Sequence, residues 1–318
     1  MPTPSLESIQ SARARIAGRL HLTPVLSSRT IAGRAGTTDF LLKCESLQKT
    51  GSFKVRGALN AVAQLSDAAR ARGVVTVSAG NHAQALAWAA AASGVRCTVV
   101  MPAKASESKA TAAAGYGAEV IRHGTAAEAF AKADELASEQ GFTMVHPFDD
   151  PQIQAGTGTI GLEILEQVPD VDLVVVPIGG GGLIAGIAAA IRAANPRVRV
   201  VGVEPEGAAA MRASLDAGHP VRLSSINTIA DGLAAPFAGE LTYPAVRDLV
   251  DDVVLVNDRE IGEAMSLILT RCKLLAEPAG AAATAALLAH KVLQAQGKRV
   301  VAILSGGNVD IDRVKELV

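Results

Sequence analysis

Lys54 is the residue of this sequence whose neighbours most favour amine chemistry. It lies in the run Lys49-Thr50-Gly51-Ser52-Phe53-Lys54-Val55-Arg56-Gly57, among small and apolar residues. Burial among such neighbours, with Arg56 close by in sequence, lowers the pKa of an ammonium group and leaves some free amine for attack on a carbonyl. A lone lysine at a helix start is more often a solvated surface charge, so this interpretation needs support from other residues.

A glycine-rich loop provides the first support. The run Pro177-Ile178-Gly179-Gly180-Gly181-Gly182-Leu183 follows an apolar strand and precedes residues 184–191, which are helical in composition. Glycines leave the backbone N–H groups open to an anion, and a helix N-terminus adds a favourable dipole. The loop therefore predicts a phosphate cradle, with a simple packing turn between strand and helix as the alternative.

The same loop also fits a dinucleotide fingerprint. Residues 180–185 satisfy G-x-G-x-x-A, and Glu204 follows about 20 residues later, at a strand end. A dinucleotide fold normally places this loop after its first strand, whereas here several α/β units precede it. An NAD-binding oxidoreductase is therefore the alternative of another functional class.

Two further loops follow strands. In Ser78-Ala79-Gly80-Asn81-His82-Ala83-Gln84, Ser78 lies where a helix N-cap would, and small polar groups converge with free N–H donors as a carboxylate requires. A cap with a histidine bonded to buried backbone is the alternative. In Ser305-Gly306-Gly307-Asn308, Ser305 could hydrogen-bond to a ring nitrogen or cap the following turn.

Short β-branched strands alternating with alanine-rich helices must position these loops. This rhythm predicts an α/β fold with two lobes, in which open, mostly parallel sheets are flanked by helices. Ligands bind beyond the carboxyl ends of such strands, where the loops lie. The predicted strands are residues 74–77, 96–100, 118–121, 173–176, 198–203 and 300–304.

The segment Val145-His146-Pro147-Phe148-Asp149-Asp150-Pro151 interrupts the strand–helix rhythm. We interpret it as a crossing between lobes. The sequence predicts a large domain of residues 1–69 and 149–318 and a small α/β domain of residues 70–148.

Composition excludes several classes of protein. Of the 318 residues, 49% are hydrophobic and 19% charged, and charges interrupt every apolar stretch before it reaches the ~18 residues of a membrane span. The 30 basic and 31 acidic residues give no field for nucleic acid. The N-terminus, Met1-Pro2-Thr3-Pro4-Ser5-Leu6-Glu7, lacks signal-peptide features, so we expect a cytoplasmic protein without nucleic-acid or membrane partners.

With these motifs assembled, the chain resembles the threonine and serine dehydratases (ammonia-lyases) of the fold-type-II pyridoxal-phosphate enzymes. This group is tryptophan synthase β-like and also includes serine racemase. Five markers occur in the family's order, namely residues 48–58, 78–84, 179–183, 277–281 and 305–308.

The resemblance implies roles for individual residues. Pyridoxal 5'-phosphate would be held in the large domain, with Lys54 as its Schiff-base lysine, Asn81 beside its hydroxyl and Ser305 at its ring nitrogen. The cofactor-binding set is Phe53, Lys54, Asn81, Gly179, Gly180, Gly181, Gly182, Leu183 and Ser305. The substrate-binding set is Ser78, Ala79, Gly80, Asn81 and His82.

The reaction implied is β-elimination with Lys54 as the catalytic base, most naturally of L-threonine to 2-oxobutanoate and ammonia, or of L-serine to pyruvate. Dehydration of 3-hydroxyaspartate or a bulkier 3-hydroxy amino acid, and serine racemisation, are alternatives. By this resemblance racemases carry a serine where this chain has Ala79, and alanine cannot donate a proton, so we expect little racemisation.

The resemblance also leads to expectations about metal binding and oligomeric state. Glu204 and Ala208 match two ligands of a divalent-cation site in several relatives, but the third falls on Ala210. We therefore expect no metal, with Glu204 and Ala208 as a remnant. We further expect a short form without a C-terminal regulatory domain, assembled as a homodimer or homotetramer.

Overall fold

A computed structural model describes residues 3–318. Met1 and Pro2 lie outside the described residues. These two residues begin the predicted large domain and the N-terminus that we expect to lack a signal peptide. Over the described residues the chain forms ten strands and fourteen α-helices. Each predicted strand is present, with ends shifted by at most two residues.

The strands are β1 Val25–Ser27, β2 Asp39–Cys44, β3 Val74–Val77, β4 Cys97–Met101, β5 Glu119–Arg122, β6 Thr143–Met144, β7 Leu173–Pro177, β8 Arg199–Pro205, β9 Asp252–Val256 and β10 Arg299–Leu304. The helices are α1 Leu6–Ile16, α2 Arg29–Ala35, α3 Lys54–Ala63, α4 Asp67–Arg72, α5 Asn81–Ala91, α6 Glu107–Gly115, α7 Ala126–Gln140, α8 Pro151–Gln167, α9 Gly182–Ala194, α10 Ala210–Ala217, α11 Thr242–Leu249, α12 Asp258–Leu267, α13 Pro278–Leu288 and α14 Ile311–Leu317.

Two separate sheets organise the chain. One has six strands in the order β1-β2-β10-β7-β8-β9, and the other has four in the order β5-β4-β3-β6. All neighbouring strands are parallel except β1 and β2, which pair antiparallel at an edge. The predicted α/β fold with mostly parallel sheets is confirmed, and the edge strand β1, which the sequence pattern did not predict, is a common addition to such sheets.

Apolar strands and alanine-rich helices form the core. Every residue of β3, β4 and β7 is buried, as the continuous Val-rich runs require in a sheet covered on both faces. Small side chains let helices lie close together, because a Cβ added at Gly186 of α9 would come within 2.3 Å of the Gln154 carbonyl oxygen of α8. None of the helices over residues 3–318 is long and apolar enough to cross a membrane.

Helix α3 connects the two sheets. Its residues Val55 and Leu59 belong to the core beneath the four-stranded sheet, together with Ile153 of α8. The helix lies before residue 70, so side chains from outside the predicted small domain complete that domain's core. The boundaries at residues 70 and 148 remain a prediction.

Candidate active site

Lys54 begins helix α3, directly after Phe53. Its Nζ donates a hydrogen bond of 2.8 Å to the carbonyl oxygen of Pro147, and it lies 5.2 Å from the centroid of the Phe53 ring. Burial lowers the pKa of Lys54 to about 8, although the nearby Glu277 opposes this shift. A lysine with this pKa supplies an appreciable fraction of free amine near neutral pH.

The glycine loop follows β7 and leads into α9. The backbone N–H groups of Gly179 through Leu183 find no acceptor within residues 3–318. Gly181, the N-cap of α9, has φ +94°, a left-handed conformation that glycine adopts without strain. The loop therefore presents a row of free donors at a helix N-terminus, as an anion site requires.

Neighbouring residues leave no room for side chains on this loop. A Cβ at Gly180 would come within 2.4 Å of the Phe148 ring, and one at Gly182 within 2.8 Å of the Phe148 carbonyl oxygen. The Gly180 carbonyl accepts a hydrogen bond of 2.6 Å from the Thr242 hydroxyl. Phe148 and Thr242 thus fix the loop with its carbonyl engaged and its N–H groups unpaired.

The segment from Ser78 to His82 joins β3 to α5. The Gly80 amide donates to the Ser78 hydroxyl (3.2 Å), and Gly80 rather than Ser78 is the N-cap of α5, with no side chain capping the helix. The expectation that Ser78 caps the helix is wrong, because its hydroxyl turns back to the loop. The first amides of α5 consequently remain open, as a carboxylate site needs.

His82 is a neutral side chain inside the site. Burial lowers its pKa to about 3, and the charge of Lys54 adds to this effect. Its Nε2 lies 3.2 Å from the Val145 carbonyl oxygen, which assigns the proton to Nε2. The buried Nδ1 has no hydrogen-bond partner in the part of the chain that the structure describes. Nδ1 is therefore a hydrogen-bond acceptor that is unpaired among residues 3–318. The sequence alone did not indicate this.

Ser305 directly follows β10 and lies beside Phe53, the residue before Lys54. Its carbonyl accepts a hydrogen bond of 3.1 Å from the Phe53 amide. Its hydroxyl is 3% exposed and makes only a long contact of 3.4 Å with the Ala279 carbonyl. The hydroxyl is therefore available for a shorter hydrogen bond to another group.

Three residues of the site escaped the sequence-based assignment. The carboxylate of Glu277 accepts a hydrogen bond of 2.6 Å from Asn81 Nδ2, and Asn308 Nδ2 donates to Asn81 Oδ1 at 2.8 Å. Both residues belong to recognised motifs, but no role was assigned to them. Pro147 lay in the predicted crossing, and nothing in the sequence indicates that its carbonyl meets Lys54.

A cavity of about 440 Å³ lies beside this network. Its lining includes Gln84, Lys109, Asp231, Glu277, Asn308 and Asp310. It opens between α6 of the four-stranded sheet and the loop after β10, and Lys109 and Asp231 form an ion pair of 3.1 Å across it. Glu277 and Asn308, the hydrogen-bond partners of Asn81, thus line a space large enough for a small molecule.

Glu204 lies elsewhere, near the end of β8. It is fully buried, and burial raises its pKa to about 8, although the amides of Met211 and Arg212 donate to its carboxylate at 2.8 and 2.7 Å. The carboxylate is thus occupied by the start of α10, which does not support a ribose-binding role. No group of three or more His, Cys, Asp or Glu side chains suited to a metal occurs among residues 3–318.

The donor set fits pyridoxal 5'-phosphate. The phosphate needs several unpaired N–H groups at a helix N-terminus, which the glycine loop supplies. The aldehyde needs an unprotonated amine, and the pKa of about 8 at Lys54 supplies it. The ring nitrogen needs a polar partner, and the Ser305 hydroxyl lacks a good one of its own.

Comparison with known proteins agrees with this fit. Residues 16–306 match the family described as pyridoxal-phosphate dependent enzyme. The chain is 45% identical to the catabolic L-threonine dehydratase of Escherichia coli strain K12, over 98% of this chain and 95% of that protein. It is 47% identical to an L-threonine ammonia-lyase of Geobacter sulfurreducens, over 98% and 77% respectively. The structure of maize serine racemase aligns with a TM-score of 0.95 and 41% identity, over 99% and 96%.

Proposed function

This chain belongs to the family of pyridoxal-phosphate dependent enzymes, and from that premise we propose that it dehydrates and deaminates L-threonine to 2-oxobutanoate and ammonia. L-Serine, giving pyruvate, is the second substrate. The observation that carries the proposal is the position of the Lys54 amine. It donates a hydrogen bond to the carbonyl of Pro147, and the next residue, Phe148, packs its ring on the glycine loop.

Lys54 serves as the general base. When bound, pyridoxal phosphate supplies an electron sink that makes the α-proton of an amino acid acidic. Lys54 Nζ, neutral in part because burial lowers its pKa to about 8, accepts that proton. Its hydrogen bond to the Pro147 carbonyl orients the amine without adding a negative charge that would raise the pKa further.

Other residues hold the reactants in place. The amides of Gly179 through Leu183 would bind the phosphate group, and the Ser305 hydroxyl would serve as the partner of the ring nitrogen. The segment from Ser78 to His82, with open amides at the start of α5, receives the substrate carboxylate. A neutral hydroxyl at the ring nitrogen favours elimination over reactions that need a strong electron sink.

Ala79 favours elimination over racemisation. Racemisation requires a second proton donor on the face opposite Lys54, and by resemblance that donor would occupy position 79. A methyl group carries no proton. The likeness to maize serine racemase therefore extends to the fold, while the proposed reaction follows the threonine dehydratases.

The charges beside the site favour a substrate without a second carboxylate. The cavity lining carries the three acidic residues Asp231, Glu277 and Asp310 against the cations Lys109 and Arg313, and Lys109 is already paired with Asp231. A side-chain carboxylate would meet like charge there. This supports threonine and serine over 3-hydroxyaspartate.

A substrate panel tests the proposal. The cofactor-loaded enzyme is supplied with L-threonine, L-serine, 3-hydroxyaspartate and a bulkier 3-hydroxy amino acid, and 2-oxo acid release is measured alongside conversion of L- to D-serine. We expect the highest kcat/KM with threonine and negligible D-serine. A preference for 3-hydroxyaspartate, or racemisation as fast as elimination, would contradict the proposal.

We also propose that the protein assembles as a homodimer or homotetramer. Leu26 lies on the short edge strand β1 and is 37% exposed. Leu22, shortly before this strand, is 68% exposed, and Leu47 is 47% exposed. An edge strand flanked by exposed leucines is a surface that a second copy would cover. Light scattering on the full chain measures the mass, and a monomer at micromolar concentration would contradict this assignment.

A further inference from the structure

Glu277 is a buried carboxylate that does not hydrogen-bond to the helix that it precedes. It is the N-cap residue of α13, yet its side chain makes no capping bond to that helix. It is only 7% exposed and forms no ion pair with any residue between 3 and 318. A buried carboxylate without a cation is costly, and such groups concentrate at functional sites.

The carboxylate instead begins a directed chain of hydrogen bonds. Glu277 accepts from Asn81 Nδ2 at 2.6 Å, Asn81 Oδ1 accepts from Asn308 Nδ2 at 2.8 Å, and Asn308 Nδ2 also donates to the Thr50 carbonyl at 2.7 Å. The chain joins the starts of α13 and α5, the loop after β10 and the loop before Lys54.

Both ends of this chain can only accept. An ionised carboxylate has no proton to donate, and neither has the Thr50 carbonyl. Asn308 must therefore present its NH₂ group to Thr50 and to Asn81 Oδ1. Asn81 must turn its own NH₂ group toward Glu277, with its second N–H unpaired among the described residues. An ionised Glu277 strengthens this orientation of the Asn81 amide, because it accepts a charge-assisted hydrogen bond from Asn81 Nδ2.

We propose that Glu277 is a positioning residue that acts through Asn81, fixing the Asn81 amide as a hydrogen-bond donor toward the cofactor's phenolic oxygen. The inference rests on the proposed function in one respect, that Asn81 neighbours that oxygen. A donor at this position stabilises the phenolate form of the cofactor. A protonated Glu277 accepts a weaker hydrogen bond, so it holds the Asn81 amide less firmly in this orientation.

The charges around Glu277 make this arrangement sensitive to pH. Burial raises its pKa to about 7, while the Asn81 hydrogen bond, Lys109 and Lys54 lower it and Asp231 raises it. These groups come from α5, α6, α3 and the turn at residues 231–233 that pack around it. Above pH 7 the carboxylate is ionised and holds Asn81 firmly as a donor; below pH 7 this hold is weakened.

The test follows the absorption spectrum of the cofactor-loaded full-length enzyme from pH 5.5 to 9, with cofactor affinity as a second measurement. We expect a spectral transition near pH 7 in the unaltered protein and its absence in Glu277→Gln. Cofactor affinity should fall roughly 10-fold, the effect of losing one charge-assisted hydrogen bond. Surface substitution Glu263→Gln, on a side chain 60% exposed, serves as the matched control and should change neither measurement.

Two further variants move the transition in opposite directions. Asp231→Asn removes a negative charge and frees Lys109, so the transition should shift down by about half a pH unit, whereas Lys109→Met should shift it up by a similar amount. These side chains line the cavity and are partly exposed, so the test holds even if Glu277→Gln does not fold.

An unchanged transition in Glu277→Gln, or shifts of the same sign in both charge variants, would overturn the inference. The spectra do not depend on which amino acid is consumed. Failure to release 2-oxobutanoate from threonine would therefore contradict the proposed function while leaving this spectral result intact.

Discussion

Two cations lie two residues apart on helix α3, and their surroundings differ in kind. Arg56 is 1% exposed and meets two carboxylates, Glu45 at 2.8 Å and Glu163 at 2.5 Å. Lys54 meets one neutral carbonyl, that of Pro147. Burial alone would lower the pKa of both groups. The carboxylates outweigh burial at Arg56 and raise its pKa, whereas at Lys54 burial prevails and the pKa falls to about 8.

The surroundings of Arg56 form a complete cluster of buried charges. Lys43 donates to Glu163 at 2.6 Å and to the Thr23 carbonyl at 2.9 Å, so two cations face two anions. At Glu45 burial alone would raise the pKa, but Arg56, Lys43 and the Thr23 hydroxyl together outweigh burial, and the pKa lies below its ordinary value. Every charge has a partner, so the cluster fixes α3 against α8.

The difference shows how one helix supports both stability and reactivity. Complete pairing locks the charged state of Arg56 and anchors the helix. Incomplete pairing leaves Lys54 near its titration point, where it can exchange a proton. The anchored residue holds the reactive one in register, because only one residue separates them.

The largest expected effect comes from removing the reactive cation. Lys54→Met should lower kcat/KM for threonine by at least ~10³-fold, since the general base and cofactor attachment are both lost. Stability should not fall. The pKa of Lys54 is about 8 against an ordinary 10.5, so its charge opposes folding below pH 8, and this penalty disappears as pH rises from 8 to 10.5.

Steady-state rates and denaturant unfolding at pH 7 and pH 10 check this prediction. The variant should match or exceed the unaltered protein in stability at pH 7, with the difference shrinking at pH 10. A large loss of stability at pH 7 would show that Lys54, like Arg56, is a structural cation.

Breaking the paired cluster should affect stability more than chemistry. Arg56→Met leaves Glu45 and Glu163 with one buried cation between them, and removing one partner of a buried ion pair costs about 3 to 5 kcal/mol. Arg259→Ala is the matched control, because its pair with Glu263 is 76% and 60% exposed and should contribute only about 0.5 kcal/mol. Equal losses of unfolding free energy in the two variants would show that the buried Arg56 cluster contributes no more to stability than an exposed ion pair.

The smallest expected effect concerns the unpaired donors of the glycine loop. In Gly180→Ala the new methyl group would meet the Phe148 ring at 2.4 Å, and overpacking of this kind costs about 1 to 3 kcal/mol. We expect the Kd of pyridoxal phosphate to rise roughly 10- to 100-fold, as measured by fluorescence titration.

Gly33→Ala provides the control for this glycine substitution. Gly33 lies inside α2 with no atom within 4 Å of the added Cβ. Its replacement should leave cofactor affinity unchanged and stabilise the helix by about 1 kcal/mol. An unchanged Kd in Gly180→Ala would contradict the role of the loop as a tightly fitted phosphate site.

Much of the fold and of the site followed from local pattern. The Val-rich runs predicted six strands, because continuous apolar residues mark buried parallel strands, and the loops after β3, β7 and β10 were predicted to carry the site. The strands β1, β2, β6 and β9 were missed, and of these β1, β6 and β9 are short or only partly buried. The family, the cofactor and the ammonia-lyase class are confirmed by the comparisons.

The sequence by itself determined which residues could do chemistry. Glycine runs, a lysine among small neighbours and polar residues at strand ends are local features, and their physical meaning depends on adjacent residues alone. Only the tertiary structure decided the charge state of Lys54, the tautomer of His82 and the partner of Glu277. A pKa depends on burial and on charges brought together by folding, and Asn81 and Glu277, 196 residues apart, meet only because folding brings the starts of α5 and α13 together.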